Sequence, residues 1–370
     1  MTCHTAASAP APRAATACFL VLFAASASAV AAQAPAAQTP AAQQPAAEEI
    51  ETCLSCHEDP SIEVSFADGS KRLLKVDSAA FQASVHGKRL RCTDCHPGMG
   101  EIPHPERRYE DVEEFQAGFR ESCKACHFAN YSRYMDSVHH SVLAGGGPAP
   151  SCIDCHDSHA VTPPNQPRTR ISETCSGCHS EIAETYAKSI HGQGLTGARS
   201  GDVPVCTDCH RSHDIADPRN AAFLLRTPEL CGRCHADAER MKPYGLSTAV
   251  LETYLSDFHG MTATLARGTT KGEERVTAVC VDCHGYHDIS KVKDPGSHVL
   301  KANLVKTCQK CHPDATDNFP AAWLSHFEPT LQKAPLVWSV KVFYQIFIPF
   351  VIGGLILQIL LHVWRVVVNR

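Results

Sequence analysis

The chain has 370 residues, with 34 lysines and arginines against 39 aspartates and glutamates and a formal net charge of −5. With no basic patch in the sequence, this balance excludes nucleic acid as a partner. The outlying feature is the count of 20 cysteines and 22 histidines, which directs attention to disulfide, metal or cofactor chemistry.

Residues 1–32 place Arg13 before a mainly apolar run, Ala14 to Ala32, that ends in small residues. This is the form of a secretory signal, cut in the Ala-x-Ala stretch near Ala29 to Ala32. An uncleaved anchor is the weaker alternative, because the run is short and rich in alanine. Cys3, His4 and Cys18 leave with the signal. Residues 33–50 are an Ala/Gln/Pro tract expected to be a flexible linker.

From residue 51 the chain repeats one pattern, Cys-x-x-Cys-His, nine times. The cysteine pairs are Cys53/Cys56, Cys92/Cys95, Cys123/Cys126, Cys152/Cys155, Cys175/Cys178, Cys206/Cys209, Cys231/Cys234, Cys280/Cys283 and Cys308/Cys311. The histidines that follow are His57, His96, His127, His156, His179, His210, His235, His284 and His312. Two thiols at this spacing form thioethers to the two vinyl groups on one porphyrin edge, and the adjacent imidazole reaches the iron as proximal ligand. Nine covalently bound haem c groups are therefore expected. Zinc sites do not need a histidine after every second cysteine, and a disulfide framework would vary its spacings.

The motifs fall into two alternating classes. Cys152, Cys206 and Cys280 open the form Cys-x-Asp-Cys-His-x-x-His, and Cys92 opens a variant without the trailing histidine. Asp94, Asp154, Asp208 and Asp282 are expected to cap the short helix that carries the proximal histidine. The other class lacks both residues. Between the members of each pair lies an aromatic-x-x-x-x-His element: Phe81 to His86, Tyr134 to His139, Tyr186 to His191 and Tyr254 to His259.

These repeats supply a pool of second iron ligands. His86, His139, His191, His259 and His326 give five, His159, His213 and His287 give eight, and His104 completes nine. A histidine three residues past a proximal ligand lies on the same side of that porphyrin, so His159, His213 and His287 must serve a neighbouring haem. His140 and His298 are reserves, and Met99 near His96 is an alternative ligand. Histidine rather than methionine ligation implies low potentials.

Near the C-terminus, Val342 to Leu361 is twenty residues without a charge, about the length that crosses a bilayer. A transmembrane helix is expected over 335–364 with a cytoplasmic tail at 365–370, because Arg365 and Arg370 follow the span. A buried core helix is the alternative, but no large apolar domain exists to bury it. Pro349 and Gly353-Gly354 leave small surfaces for a neighbouring helix. His362 lies near the cytoplasmic end, as an interfacial residue or a ligand to a haem b shared with a partner.

Cys53 to His312 spans 260 residues, too few to build a separate protein core around each of nine cofactors. The fold expected for 51–328 is mainly α with long loops, packed on its porphyrins, in four two-haem repeats and a half-repeat, with no strand. Two propionates per haem would make the domain more acidic than its formal charge.

Over about residues 51 to 328 the chain resembles the multihaem c-type cytochromes of respiratory bacteria. The resemblance rests on the doubled Cys-x-x-Cys-His motifs, the Ser-x-His-Gly segments and the Cys-x-x-Cys-His-x-x-His motifs. It implies bis-histidine haems packed for rapid electron hopping. A single C-terminal span looks more like inner-membrane-anchored members that exchange electrons with the quinone pool, although the better known quinol-oxidising group is anchored at its N-terminus. The expectation is an electron carrier in the inner membrane, haem domain in the periplasm. Its expected partners are a quinone-reactive or b-type cytochrome subunit, periplasmic or outer-membrane redox proteins, and the lipid bilayer. The competing reading is a multihaem reductase or oxidase of a small nitrogen or sulfur compound with one open iron.

Overall fold

Regular structure in this protein is mostly short helix, set by where the motifs and their caps fall. The computed structural model describes residues 44–269, 277–320, 326 and 328–369. The expected signal segment and most of the linker lie outside them. Described residues from Ala46 to Arg370 form one compact unit, mainly helical with long loops as expected.

The two motif classes differ in how their helices are built. Asp-bearing motifs form single-turn helices of their own, Cys92–Cys95, Cys152–His156, Cys206–His210 and Cys280–His284. In each the aspartate carboxylate accepts the backbone N–H three residues earlier: Asp94 from Arg91 at 2.8 Å, and Asp154, Asp208 and Asp282 from Ser151, Val205 and Val279 at 2.7 Å. The aspartates thus cap, satisfying an N–H that so short a helix leaves orphaned. Motifs of the other class sit at or near the ends of longer helices, such as Gln44–His57, Thr227–His235 and Lys301–Gln309.

Three boundaries differ from expectation. Glu63–Ser65 and Lys71–Leu73 pair antiparallel as a small hairpin. The Asp68-Gly69 turn explains it, with Gly69 at φ +83° and the Asp68 carboxylate accepting the Ser70 N–H at 2.8 Å. Helix starts at Gln44, inside the expected linker, where Glu49 accepts both the N–H and hydroxyl of Thr93. The last helix, Pro335–Val368, runs through most of the expected tail because Val366 to Val368 continue the apolar run. Its 34 residues are long and apolar enough to cross a membrane, and its most apolar stretch has no buried residue. At 1.5 Å per residue it is about 50 Å long, well over the hydrocarbon thickness of about 30 Å.

Few apolar side chains are buried. One cluster joins Leu225, Tyr254, Ala263, Ala266 and Val279, and the largest wholly buried side chains elsewhere are Val205 and Pro228. Beside them runs a continuous cavity of about 3950 Å³, lined by residues from Thr52 to His326. A protein interior normally fills such space with side chains, so the cavity is where the missing core belongs.

Directly after the proximal histidine the chain turns sharply. Asp157 and Arg211 adopt φ +65° and +66°, and Gly285, at the same motif position, adopts +84°. With ψ near 180° this is a region suited to glycine alone. The turn throws the trailing histidine away from its own motif. At the first Asp-bearing motif this position is Pro97, whose ring holds φ near −65°, so the chain cannot turn there. Positive φ appears one residue later at Gly98. Arg211→Gly should relieve the strain and raise stability by about 1 kcal/mol, read as a higher thermal midpoint. An unchanged or lower midpoint would show that the turn stores no strain.

Candidate functional site

The aromatic-x-x-x-x-His elements are fixed by three repeated contacts. Ser84, Ser137 and Ser189 are buried, and their hydroxyls accept the backbone N–H three residues on, at 3.0 to 3.1 Å, while Asp257 does the same at 2.9 Å. The donor is the residue after the histidine, and in three of four cases it is glycine. A Cβ at Gly87, Gly192 or Gly260 would fall on the backbone carbonyl oxygen of Phe81, Tyr186 or Tyr254. Glycine therefore allows the histidine-bearing turn to lie directly against the helix before it.

The aromatic residue anchors the element to the Asp-bearing motif of its own repeat. Tyr134, Tyr186 and Tyr254 donate their hydroxyls to the carbonyls of Pro150, Pro204 and Ala278, each two residues before that motif. A backbone bond then ties the element to the following repeat: Val85, Val138 and Ile190 donate to Val161, Ile215 and Ile289 at 2.8 to 2.9 Å. Each acceptor lies two residues past a trailing histidine.

These anchors bring the histidines together in nine pairs. His57 faces His104 at 6.1 Å between ring centroids, His96 faces His159 at 6.0 Å, and His127 faces His86 at 6.1 Å. His156 and His213 are 6.0 Å apart, His179 and His139 6.2 Å, and His210 and His287 5.9 Å. His235 and His191 stand at 6.1 Å, His284 and His326 at 6.1 Å, and His312 and His259 at 6.3 Å. Each pair joins one motif histidine to one histidine from outside the nine motifs, and no histidine is used twice. One metal ion bonded to both rings at about 2 Å per nitrogen would set their centres about 6 Å apart, so the residues fit an iron with two axial imidazoles.

The pairing is regular. A histidine of the aromatic element faces the next motif of the class without aspartate, and each trailing histidine faces the Asp-bearing motif before its own. His104 turns back to the first motif. At that pair both rings have fixed orientation, since His57 Nδ1 is 3.2 Å from the Leu74 carbonyl and His104 Nδ1 is 2.9 Å from that of Glu101. With Nδ1–H donated, Nε2 keeps its lone pair for a metal. Burial, helped by the neighbouring imidazoles, holds His96, His191 and His284 down to about 4, so these rings are neutral at pH 7.

The thiols follow the order of the sequence. Cys92 interacts with Cys53, Cys152 with Cys123, Cys175 with Cys206, and Cys231 with Cys280. At the other ends Cys95 senses Cys123 and Cys126, Cys155 senses Cys178, Cys209 senses Cys231, and Cys283 senses Cys308 and Cys311. Burial is the main reason that Cys209 and Cys283 are pushed up to about 11. Each motif thus neighbours the one before and the one after it. The cavity of about 3950 Å³ takes lining residues from the first eight motifs and not from Cys308, Cys311 or His312.

The reserves fall elsewhere. His140 packs edge-on against Tyr134 at 5.4 Å, and His298 Nε2 meets the Asp288 carboxylate at 2.9 Å. Met99 lines the cavity, while His159 holds the place facing His96. Sequence reading had missed the anchoring hydroxyls and the buried serines, although the recurring Ser-Val-His and Ser-Ile-His runs are their signal. Gly260→Ala should push the His259 turn off the Tyr254 carbonyl and cost about 2 kcal/mol. Thermal unfolding checks this, and an unchanged midpoint would contradict the close approach.

The family model for cytochrome c3 matches residues 148–236, which hold the four motifs opened by Cys152, Cys175, Cys206 and Cys231. No curated protein and no solved structure matches the chain. The motif array and this match support a multihaem c-type cytochrome, similar to cytochrome c3 over about a quarter of its length.

Proposed function

We propose that the nine motifs attach nine haems, that each histidine pair holds one iron, and that the protein carries electrons along this series. The observation that supports it is the one-to-one pairing, nine motif histidines each facing one other histidine at 5.9 to 6.3 Å. When bound, haem iron changes between ferric and ferrous and so supplies the redox chemistry. The chain's own residues hold it. The cysteines of each motif would attach the porphyrin and the two imidazoles of each pair would hold its iron, which would leave no position for a substrate. This is what favours a carrier over the reductase or oxidase reading. With histidine on both sides, potentials are expected to be low.

Placement follows from the ends of the last helix. Trp338 and Tyr344 lie toward one end and Trp364 toward the other, where interfacial aromatics sit, and Arg365 puts a positive charge in the last turn of the helix. This supports an inner-membrane anchor with a cytoplasmic C-terminus and a periplasmic haem domain. The partners proposed are a quinone-linked membrane subunit and periplasmic or outer-membrane redox proteins.

Purified full-length protein should contain nine haems per chain by mass, all low-spin in the ferric state. Fewer haems, or a high-spin signal, would contradict the assignment. Changing His213 to Ala should make one haem high-spin, and mapping should find it on Cys152 and Cys155. If the affected haem is on Cys206 and Cys209, the trailing histidine serves its own motif and the pairing is wrong.

A further inference from the structure

We propose that the haem site of Cys308, Cys311, His312 and His259 is the membrane-side terminus of the series, where a lipid-embedded redox partner exchanges electrons with it. This rests on the nine-haem reading above and adds a direction to it.

Three observations carry the assignment. Hydrogen bonding between the thiols of each two-motif repeat and electrostatic influence between thiols of successive repeats follow the sequence order, so the series has two ends, at Cys53 and at Cys308. The site next to the Cys308 end pairs His284 with His326, and His326 stands nine residues before Pro335, the first residue of the membrane-length helix. Nine residues reach at most about 30 Å when fully extended, and the seven helical residues before Val342 add about 10 Å. The Cys308 end is therefore tethered near the bilayer, whereas no comparable tether holds the Cys53 end among the described residues. Finally, the ninth motif lies outside the cavity shared by the other eight. Phe258 and Met261 on the helix that carries His259 are exposed. A terminal site has a neighbouring motif on one side only, which leaves this apolar helix surface to a partner.

The test uses full-length, haem-loaded protein in vesicles containing phosphatidylethanolamine, treated with an amine-to-amine cross-linker. Lys306 and Lys310, exposed beside the ninth motif, should join lipid several-fold more than Lys71 and Lys75, exposed near the first. Equal labelling would mean that the series lies flat on the membrane, and reversed labelling that the first motif is the near end; either overturns the proposal. A second reading adds a dysprosium-chelating lipid and follows the relaxation of each low-spin signal. The signal altered by His259→Met should be the accelerated one, and the signal altered by His104→Met should not. If the latter is accelerated instead, the direction is wrong. Because the cross-linking reads orientation alone, its failure is distinct from a wrong haem count, which the mass measurement reports.

Discussion

The facing of two imidazoles from distant parts of the chain across a gap of about 6 Å is the constraint on which this structure depends. Among the described residues few side chains are buried, and the apolar cluster around Leu225 is small. Surface area buried by the protein alone is thus a weak organiser, and the order of the fold must come from cofactor contacts together with local caps. Eight of the nine pairs bridge two repeats, the exception being His57 with His104 inside the first, so the pairs join successive repeats into one connected series. A histidine lost from one of these eight pairs would loosen two repeats at once, the repeat that carries the motif and the repeat that supplies the partner.

Local chemistry makes these long-range meetings possible. An aspartate three residues inside each Asp-bearing motif closes a one-turn helix that would otherwise fray. Beyond it, a residue held at positive φ turns the chain so that the trailing histidine leaves its own motif. The aromatic element reaches the other way, seated by a serine cap in three repeats and an aspartate cap in the fourth, and in three repeats by a tyrosine hydroxyl. Strain at Asp157 and Arg211 is of the kind that persists where function over-determines the backbone.

Much of this was legible in the sequence. The motifs mark the candidate attachment sites, and a same-side argument sends His159, His213 and His287 to neighbouring motifs; their rings lie opposite His96, His156 and His210. His104 was the least regular member, and Pro97 explains why, since proline at the turn position forbids the route used by the later repeats. What sequence could not supply was the partner of each ring, because a histidine's reach depends on anchors such as Tyr186 to Pro204 and Ile190 to Ile289 that lie many residues apart. The hairpin at Asp68-Gly69 is legible in its turn residues.

The central claim is that iron lies between the members of each histidine pair. A density map of the haem-loaded protein, with iron located by its anomalous signal, tests it most directly. The account requires nine iron peaks, each midway between the rings paired here, with the peak of the Cys152 motif between His156 and His213. An iron with a ring on one side only, or His213 beside the iron of His210, would contradict it.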